Sequence, residues 1–153
     1  MFSTDDAVAQ TDLVRARGGR VVFTNGVFDL LHPGHLRYLQ QSRELGDALV
    51  VGVNSDRSVR AIKGPSRPVT PELERAEILA ALSCVDVVVL FDEDTPSALI
   101  TRLRPDVLVK GADWTGRDIP GQDIVENRGG RIVLAPFESG YSTTNIIDTI
   151  RKR

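Results

Sequence analysis

Apolar positions in this chain fall into short dense runs separated by stretches with helical spacing. Val21-Val22-Phe23-Thr24 is rich in β-branched residues and leads into Asn25-Gly26, the pattern of a strand and its exit. After Pro33 the apolar residues Leu36, Leu39 and Leu45 recur at roughly helical intervals, so strand, loop and helix are predicted in that order. Ala48 to Asn54 is apolar at nearly every position, as expected of a parallel strand covered on both faces. The polar stretch Ser55 to Thr70 reads as a mobile flap, and a helix is predicted over Pro71 to Leu82, with proline at a favourable first position. Strand and helix then repeat. Asp86 to Phe91 precedes Pro96 to Leu103, Val107 to Lys110 precedes a loop and a helix around Gln122 to Asn127, and Arg131 to Leu134 precedes a terminal helix from about Thr143.

Five strands alternating with helices predict an α/β fold: a single doubly wound, Rossmann-like domain with a five-stranded parallel sheet and helices on both faces. Ligands of such sheets bind beyond the carboxyl ends of the strands. Residues 1–18 are predicted to be an N-terminal extension, frayed to about residue 6 and then forming a short helix, Ala7 to Arg17, stopped by Gly18-Gly19. The domain proper is expected over 19–153, without internal repeats or low-complexity segments.

Composition narrows the function. A length of 153 residues with 41% hydrophobic content suits one continuous core. A net charge of -2 and a pI near 5.7 lack the basic surplus of a nucleic-acid binder, which leaves small ligands as the expected partners. Cys84 is the only cysteine, the first twenty residues carry Asp5, Asp6 and Asp12 rather than an apolar signal core, and no apolar run reaches the roughly 18 residues needed to span a bilayer. A cytoplasmic protein with no membrane role is the expectation.

The chemistry concentrates in Gly26-Val27-Phe28-Asp29-Leu30-Leu31-His32-Pro33-Gly34-His35, which holds both histidines of the chain, three residues apart at a predicted helix start. Gly26 lets backbone approach a phosphate, and Gly34 leaves room above a helix terminus whose free N–H groups and dipole favour an anion. Two imidazoles there can donate to oxygens that gain charge in a phosphoryl transition state, and one such donor is worth about 3–4 kcal/mol. The plainer alternative is that His32 caps a turn and His35 fills the core. A metal site is disfavoured, because only Asp29 stands near the two histidines and the ligand set is incomplete.

The segment Gly26 to His35 resembles the signature of the cytidylyltransferase-like nucleotidyltransferases, which share the His-x-Gly-His element with class I aminoacyl-tRNA synthetases. The resemblance extends over about residues 19 to 151. Val53-Asn54-Ser55-Asp56, Lys63-Gly64-Pro65-Ser66-Arg67-Pro68-Val69, Val109-Lys110-Gly111-Ala112-Asp113-Trp114 and Gly140-Tyr141-Ser142-Thr143-Thr144-Asn145-Ile146-Ile147 are similar to the adenylyltransferase domain of bacterial heptose enzymes. It implies transfer of AMP from ATP to D-glycero-β-D-manno-heptose 1-phosphate, giving ADP-heptose and pyrophosphate on the way to the lipopolysaccharide inner core. A separate heptose kinase would supply the acceptor, and a homodimer is expected. Glycerol-3-phosphate cytidylyltransferases have a similar signature, but they carry an arginine where this chain has Pro136-Phe137-Glu138 and another where Ser83-Cys84 precedes Val85-Asp86. A cytidylyltransferase acting on glycerol 3-phosphate or another polyol phosphate, and a noncatalytic nucleotide sensor, are the competing readings.

The same resemblance implies the roles. Thr24 to Phe28 would line the nucleotide site, with the backbone of Gly26, Val27 and Phe28 facing the phosphates, and Asn25 would place the acceptor. His32 and His35 would act on the transition state, assisted by Gly34. Asp29 would orient the loop or a magnesium water, or simply cap the loop. Lys63 would reach the phosphates from the flap, and Arg75 would lie near them, unless it pairs on the surface with Glu72 or Glu74. Gly111 and Asp113 would meet the ribose, Trp114 would wall the site or pack, and Ser142 and Thr143 would hold the β- and γ-phosphates or serve as plain caps. An acceptor phosphate is already anionic near pH 7, so alignment and charge neutralisation suffice, with Mg²⁺ held mainly by phosphates and water.

Overall fold

The computed structural model describes residues 1–136 and 138–153, and its element order is the predicted alternation with two additions. The strands are β1 (Val21–Gly26), β2 (Ala48–Asn54), β3 (Val87–Phe91), β4 (Val107–Gly111) and β5 (Arg131–Ala135). The helices are α1 (Thr4–Ala16), α2 (Pro33–Arg43), α3 (Asp56–Lys63), α4 (Glu72–Ala80), α5 (Ser97–Leu103), α6 (Gln122–Glu126) and α7 (Thr143–Arg151), with a 3₁₀ turn at Ala112–Trp114. All strand pairs are parallel, in the order β3-β2-β1-β4-β5. The doubly wound α/β fold expected from the sequence is therefore present. No helix among the described residues is long and apolar enough to cross a membrane.

Strand alternation divides the core in two. Phe23, Val50, Val89 and Leu108 face α1, α5 and α6, whereas Val22, Val51, Val88 and Val109 face α2 and α4. The sheet order reverses between β1 and β4, where open α/β sheets leave a crevice. Here the ladder joining the two strands covers only Val22↔Val107 and Phe23↔Leu108, so their carboxyl ends run on without pairing each other. Side chains close the gap. Thr24 Oγ1 and the Tyr38 hydroxyl, bonded to each other at 2.7 Å, both lie within hydrogen-bond distance of the Val109 carbonyl, at 3.0 and 3.1 Å.

Two expectations need correction. Residues 1–6 are not frayed: the Phe2 amide donates to Val88 O at 2.9 Å on the outer edge of β3, and α1 begins at Thr4, where Ser3 Oγ accepts from Asp6 N at 3.1 Å. That cap, with Asp5 and Asp6 in the first turn, starts the helix before its apolar face begins. Ala7 and Val14 of α1 are part of the core. The stretch Ser55 to Thr70 is also not a continuous loop, since α3 occupies its first half. Ser55 Oγ caps Ser58 N at 3.1 Å, and Val59 is fully buried. One apolar anchor and a serine cap suffice for this short helix, whose Val59 and Ile62 stand three residues apart among charged neighbours.

Candidate active site

A cleft of about 400 Å³ opens beyond the carboxyl ends of β1, β4 and β5, where the strand order predicts a ligand. Its first wall is the exit of β1. A Cβ at Gly26 would lie 3.0 Å from the Phe28 ring. Phe28 itself adopts φ 49°, a left-handed conformation that costs a non-glycine residue about 1–2 kcal/mol. Burial of its ring, tilted against His35 at 5.4 Å, holds the turn in place.

The histidines follow at the start of α2. His32 is the N-cap, and its Nδ1 accepts from His35 N at 3.3 Å, which leaves the ring proton on Nε2. The two imidazoles stack at 3.8 Å and 19°, with Tyr141 beyond His32 at 5.9 Å. Gly34 is required by this stack, because a Cβ there would stand 2.9 Å from Tyr141 Cβ and 3.0 Å from the His32 ring. Burial lowers the pKa of both rings, and the neighbouring His32 adds to the effect at His35, which is brought to about 4. His35 is thus a neutral imidazole through the physiological range, and its buried Nδ1 has no partner among the described residues. The capping alternative is realised at His32, whose ring also lines the cleft.

The start of α7 faces the same cleft. Ser142 Oγ accepts from Asn145 N at 2.9 Å, which leaves its hydroxyl proton to donate elsewhere. Thr143 Oγ1 donates to Leu30 O at 2.9 Å and so joins this helix to the β1 loop. Arg37 braces the arrangement from α2, bonded to Glu138 at 2.6 Å and lying 5.5 Å from the Tyr141 ring centre. Two helix N-termini therefore line one cleft, a favourable field for a polyphosphate. Gly111 at the end of β4 and Asp113 and Trp114 in the turn after it line the cleft, and a Cβ at Gly111 would meet Asp113 Oδ1 at 2.5 Å. Lys63, exposed at the end of α3, lines the rim.

Three expected ligand contacts are placed otherwise. Thr24 is fully buried, with its hydroxyl between Tyr38 and Val109. Arg75 is also buried: it donates to Val27 O at 2.6 Å, Asn54 O at 2.8 Å, Thr70 O at 2.9 Å and Asp56 at 2.9 Å. Its guanidinium is an internal strut joining the ends of β1 and β2 to α3, neither a phosphate ligand nor a surface partner of Glu72 or Glu74. Asp29 borders the cleft, but its carboxylate accepts from Arg67 Nε at 2.6 Å, from Val69 N at 2.9 Å and from Thr70 N at 2.9 Å. Burial works against this charge, yet those donors outweigh it and hold the pKa below the usual value. The loop-capping alternative is the one realised.

Sequence reasoning gave no role to Lys110, Tyr38, Arg67 or Tyr141, all of which line the cleft. A lysine near the end of an otherwise apolar parallel strand was the available signal for Lys110. The others become visible only when segments distant in sequence meet.

Residues 23–149 match the model described as Cytidylyltransferase-like. The chain belongs to the cytidylyltransferase-like family. The nucleotidyltransferase class inferred from the histidine motif is that of this family. This cytidylyltransferase-like chain is 61% identical over 142 residues to the Bifunctional protein HldE of Syntrophotalea carbinolica, matching 93% of the chain and 29% of that protein. It is 54% identical to the Bifunctional protein HldE of Hyphomonas neptunium, over 96% of the chain and 30% of that protein. The chain thus spans about three tenths of the length of these relatives. The crystal structure of the lipopolysaccharide core biosynthesis protein from Thermoplasma volcanium superposes with a TM-score of 0.65 at 30% identity, covering 82% of this chain and all of that one.

Proposed function

We propose that the cleft transfers AMP from ATP to D-glycero-β-D-manno-heptose 1-phosphate, giving ADP-heptose and pyrophosphate. The observation that carries the transfer chemistry is the stacked, neutral His32–His35 pair at the start of α2, facing the start of α7 across one cleft. The choice of acceptor draws on the heptose-enzyme resemblance of the flap and strand-end motifs. The likeness to the bifunctional HldE proteins and to a protein of lipopolysaccharide core biosynthesis supports it.

In this reading the free N–H groups of α2 and α7, with Ser142, hold the triphosphate so that its α-phosphorus lies beside the imidazoles. An acceptor phosphate oxygen attacks in line, the bond from the α-phosphorus to the bridging oxygen breaks, and pyrophosphate leaves. His32 donates through Nε2 to oxygens whose charge rises, and Lys63 closes from the rim as a mobile cation. Asp113 accepts ribose hydroxyls beside Gly111. Magnesium, when bound with ATP, neutralises part of the polyphosphate charge. The carboxylates near the cleft suit an ion held by phosphate oxygens and water, since Asp29 is committed to its loop and Glu138 to Arg37. The reading extends to a homodimer acting in the cytoplasm on an acceptor made by a heptose kinase.

Pyrophosphate release with Mg²⁺, offering ATP or CTP against the heptose 1-phosphate or glycerol 3-phosphate in all four pairings, tests the proposal. Turnover confined to ATP with the heptose is expected. Turnover confined to CTP with glycerol phosphate refutes the acceptor and base while keeping the chemistry, and silence in every pairing refutes the heptose reaction and leaves another acceptor or a sensor.

A further inference from the structure

Lys110 is the penultimate residue of β4, and only 6% of its surface is exposed. By strand alternation it lies on the side of Leu108, and Asn25 lies on the side of Phe23, which is the α1, α5 and α6 face of the sheet. The histidines belong to the opposite face, with α2. Lys110 Nζ donates to Asn25 Oδ1 at 2.6 Å across the gap where β1 and β4 stop pairing, and it stands 4.9 Å from the Trp114 ring centre. Trp114 packs against the core of that face.

This ammonium is buried without a salt bridge among the described residues. Asp113, on the turn after β4, is the charged group that faces it, while Asn25 from β1 and Trp114 are neutral. Arg117 lies 4.3 Å from the centre of the same indole ring and adds positive charge. Burial, partly countered by Asp113, pulls the Lys110 pKa to about 8. Asn25 takes one of three N–H donors, and the residue lines the cleft. A buried cation with free donors at the edge of a ligand cleft is costly unless an anion completes it.

Nucleotidyl transfer needs two anions in one cleft. The triphosphate is accounted for by the helix N-termini on the α2 side, and the acceptor phosphate must come within bonding reach of the α-phosphorus against their mutual repulsion. We propose that Lys110, aligned by Asn25 and Trp114, is the cation that binds the acceptor's phosphate on the far side of the strand ends from the histidines. The inference rests on the transferase reading, but not on which sugar or polyol carries the phosphate.

The test is a steady-state comparison of wild type, Lys110→Met and Lys110→Arg with whichever pairing the wild type turns over. Lys110→Met is expected to raise the acceptor KM by about tenfold or more and to leave the ATP KM within about twofold; Lys110→Arg is expected to recover most of the loss. Wild-type acceptor KM should rise above about pH 8, and Lys110→Arg should remove that rise. An unchanged acceptor KM, or an ATP KM that rises equally, overturns the proposal.

If Lys110→Met fails to fold, or the wild type turns over nothing, lysine labelled with ¹³C at Cε decides the matter in the wild-type protein. Only Lys63, Lys110 and Lys152 give signals, assigned with single arginine variants. Glucose 1-phosphate, added with a nonhydrolysable ATP analogue, should raise the Lys110 pKa beyond its value with the analogue alone. No further change on adding the sugar phosphate overturns the assignment. Silence in turnover with a positive titration refutes the heptose reaction and leaves the phosphate site standing.

Discussion

Asp29→Asn separates a loop clasp from a ligand contact. The substitution keeps the shape and replaces one carboxylate oxygen by a donor. In the wild type both oxygens are taken: Arg67 Nε at 2.6 Å and the Val69 and Thr70 amides at 2.9 Å all converge on a side chain with no exposed surface. The amide must turn its NH₂ toward one of these donors and leaves Arg67, only 12% exposed, without a counter-charge. Breaking a buried pair from one side costs about 3–5 kcal/mol, and residual solvent access to Arg67 places this case near 3. With a slope of about 2 kcal/mol per molar urea, the unfolding midpoint should fall by roughly 1.5 M. The sign of the pH effect is set by the lowered folded pKa. The clasp's contribution is complete above the unfolded carboxyl value near 4 and is lost as pH falls through the folded one, so wild type and Asp29→Asn should converge in stability below about pH 4. Urea titrations of both proteins between pH 3 and pH 7 measure this. A midpoint shift under about 0.5 M at pH 7, with activity nevertheless abolished, would refute the clasp and return Asp29 to the ligand.

Four further outcomes follow from the site. His32→Ala and His35→Ala should each lower kcat by about a hundredfold or more while circular dichroism and melting stay close to wild type; a change below about threefold makes the stack a structural cap only. In the free protein the His35 imidazole should titrate near pH 4 by NMR, because burial and His32 disfavour its charged form, and a midpoint above 6 contradicts the buried geometry. Arg75→Met should cost about 4 kcal/mol in urea unfolding, since it strips four acceptors of their donor, yet leave the ATP KM within about twofold in the folded fraction. Gly34→Ala should lower activity by at least about tenfold with folding retained, because the added methyl displaces Tyr141 or His32 from the stack, and unchanged kinetics would show that neither position matters.

The parts of the fold that could be read in advance are those where burial leaves a local imprint. β2 is buried at all seven positions and appears in the chain as a continuous apolar run. α3 leaves a fainter imprint, two apolar residues at helical spacing in a polar stretch, of which Val59 is buried while Ile62 is 56% exposed. The helix start that lines the cleft was legible because His32, Pro33, Gly34 and His35 fall within a single turn. Asp29 and Arg75 were not, since their partners stand about forty residues away for Asp29 and, for Arg75, span Val27 to Thr70. Lys110 is the sharper lesson: as a lysine it reads as solvated, and only the folded chain shows it buried beside the strand ends where β1 and β4 stop pairing.

That short ladder also makes the cleft a gauge of the entire chain. Its walls come from the loop after β1, the end of α3, the turn after β4 and the start of α7, segments from Asn25 to Thr144 that are brought together by the order of the sheet. A ligand that touches all of these walls binds the folded chain and not the unfolded one, so its binding energy is added to the global folding equilibrium. A ligand at a hundred times its Kd then stabilises the fold by about 2.7 kcal/mol. Melting temperature thereby becomes a direct readout of occupancy, and a panel of sugar and polyol phosphates can be ranked by heat alone, before any product is detected.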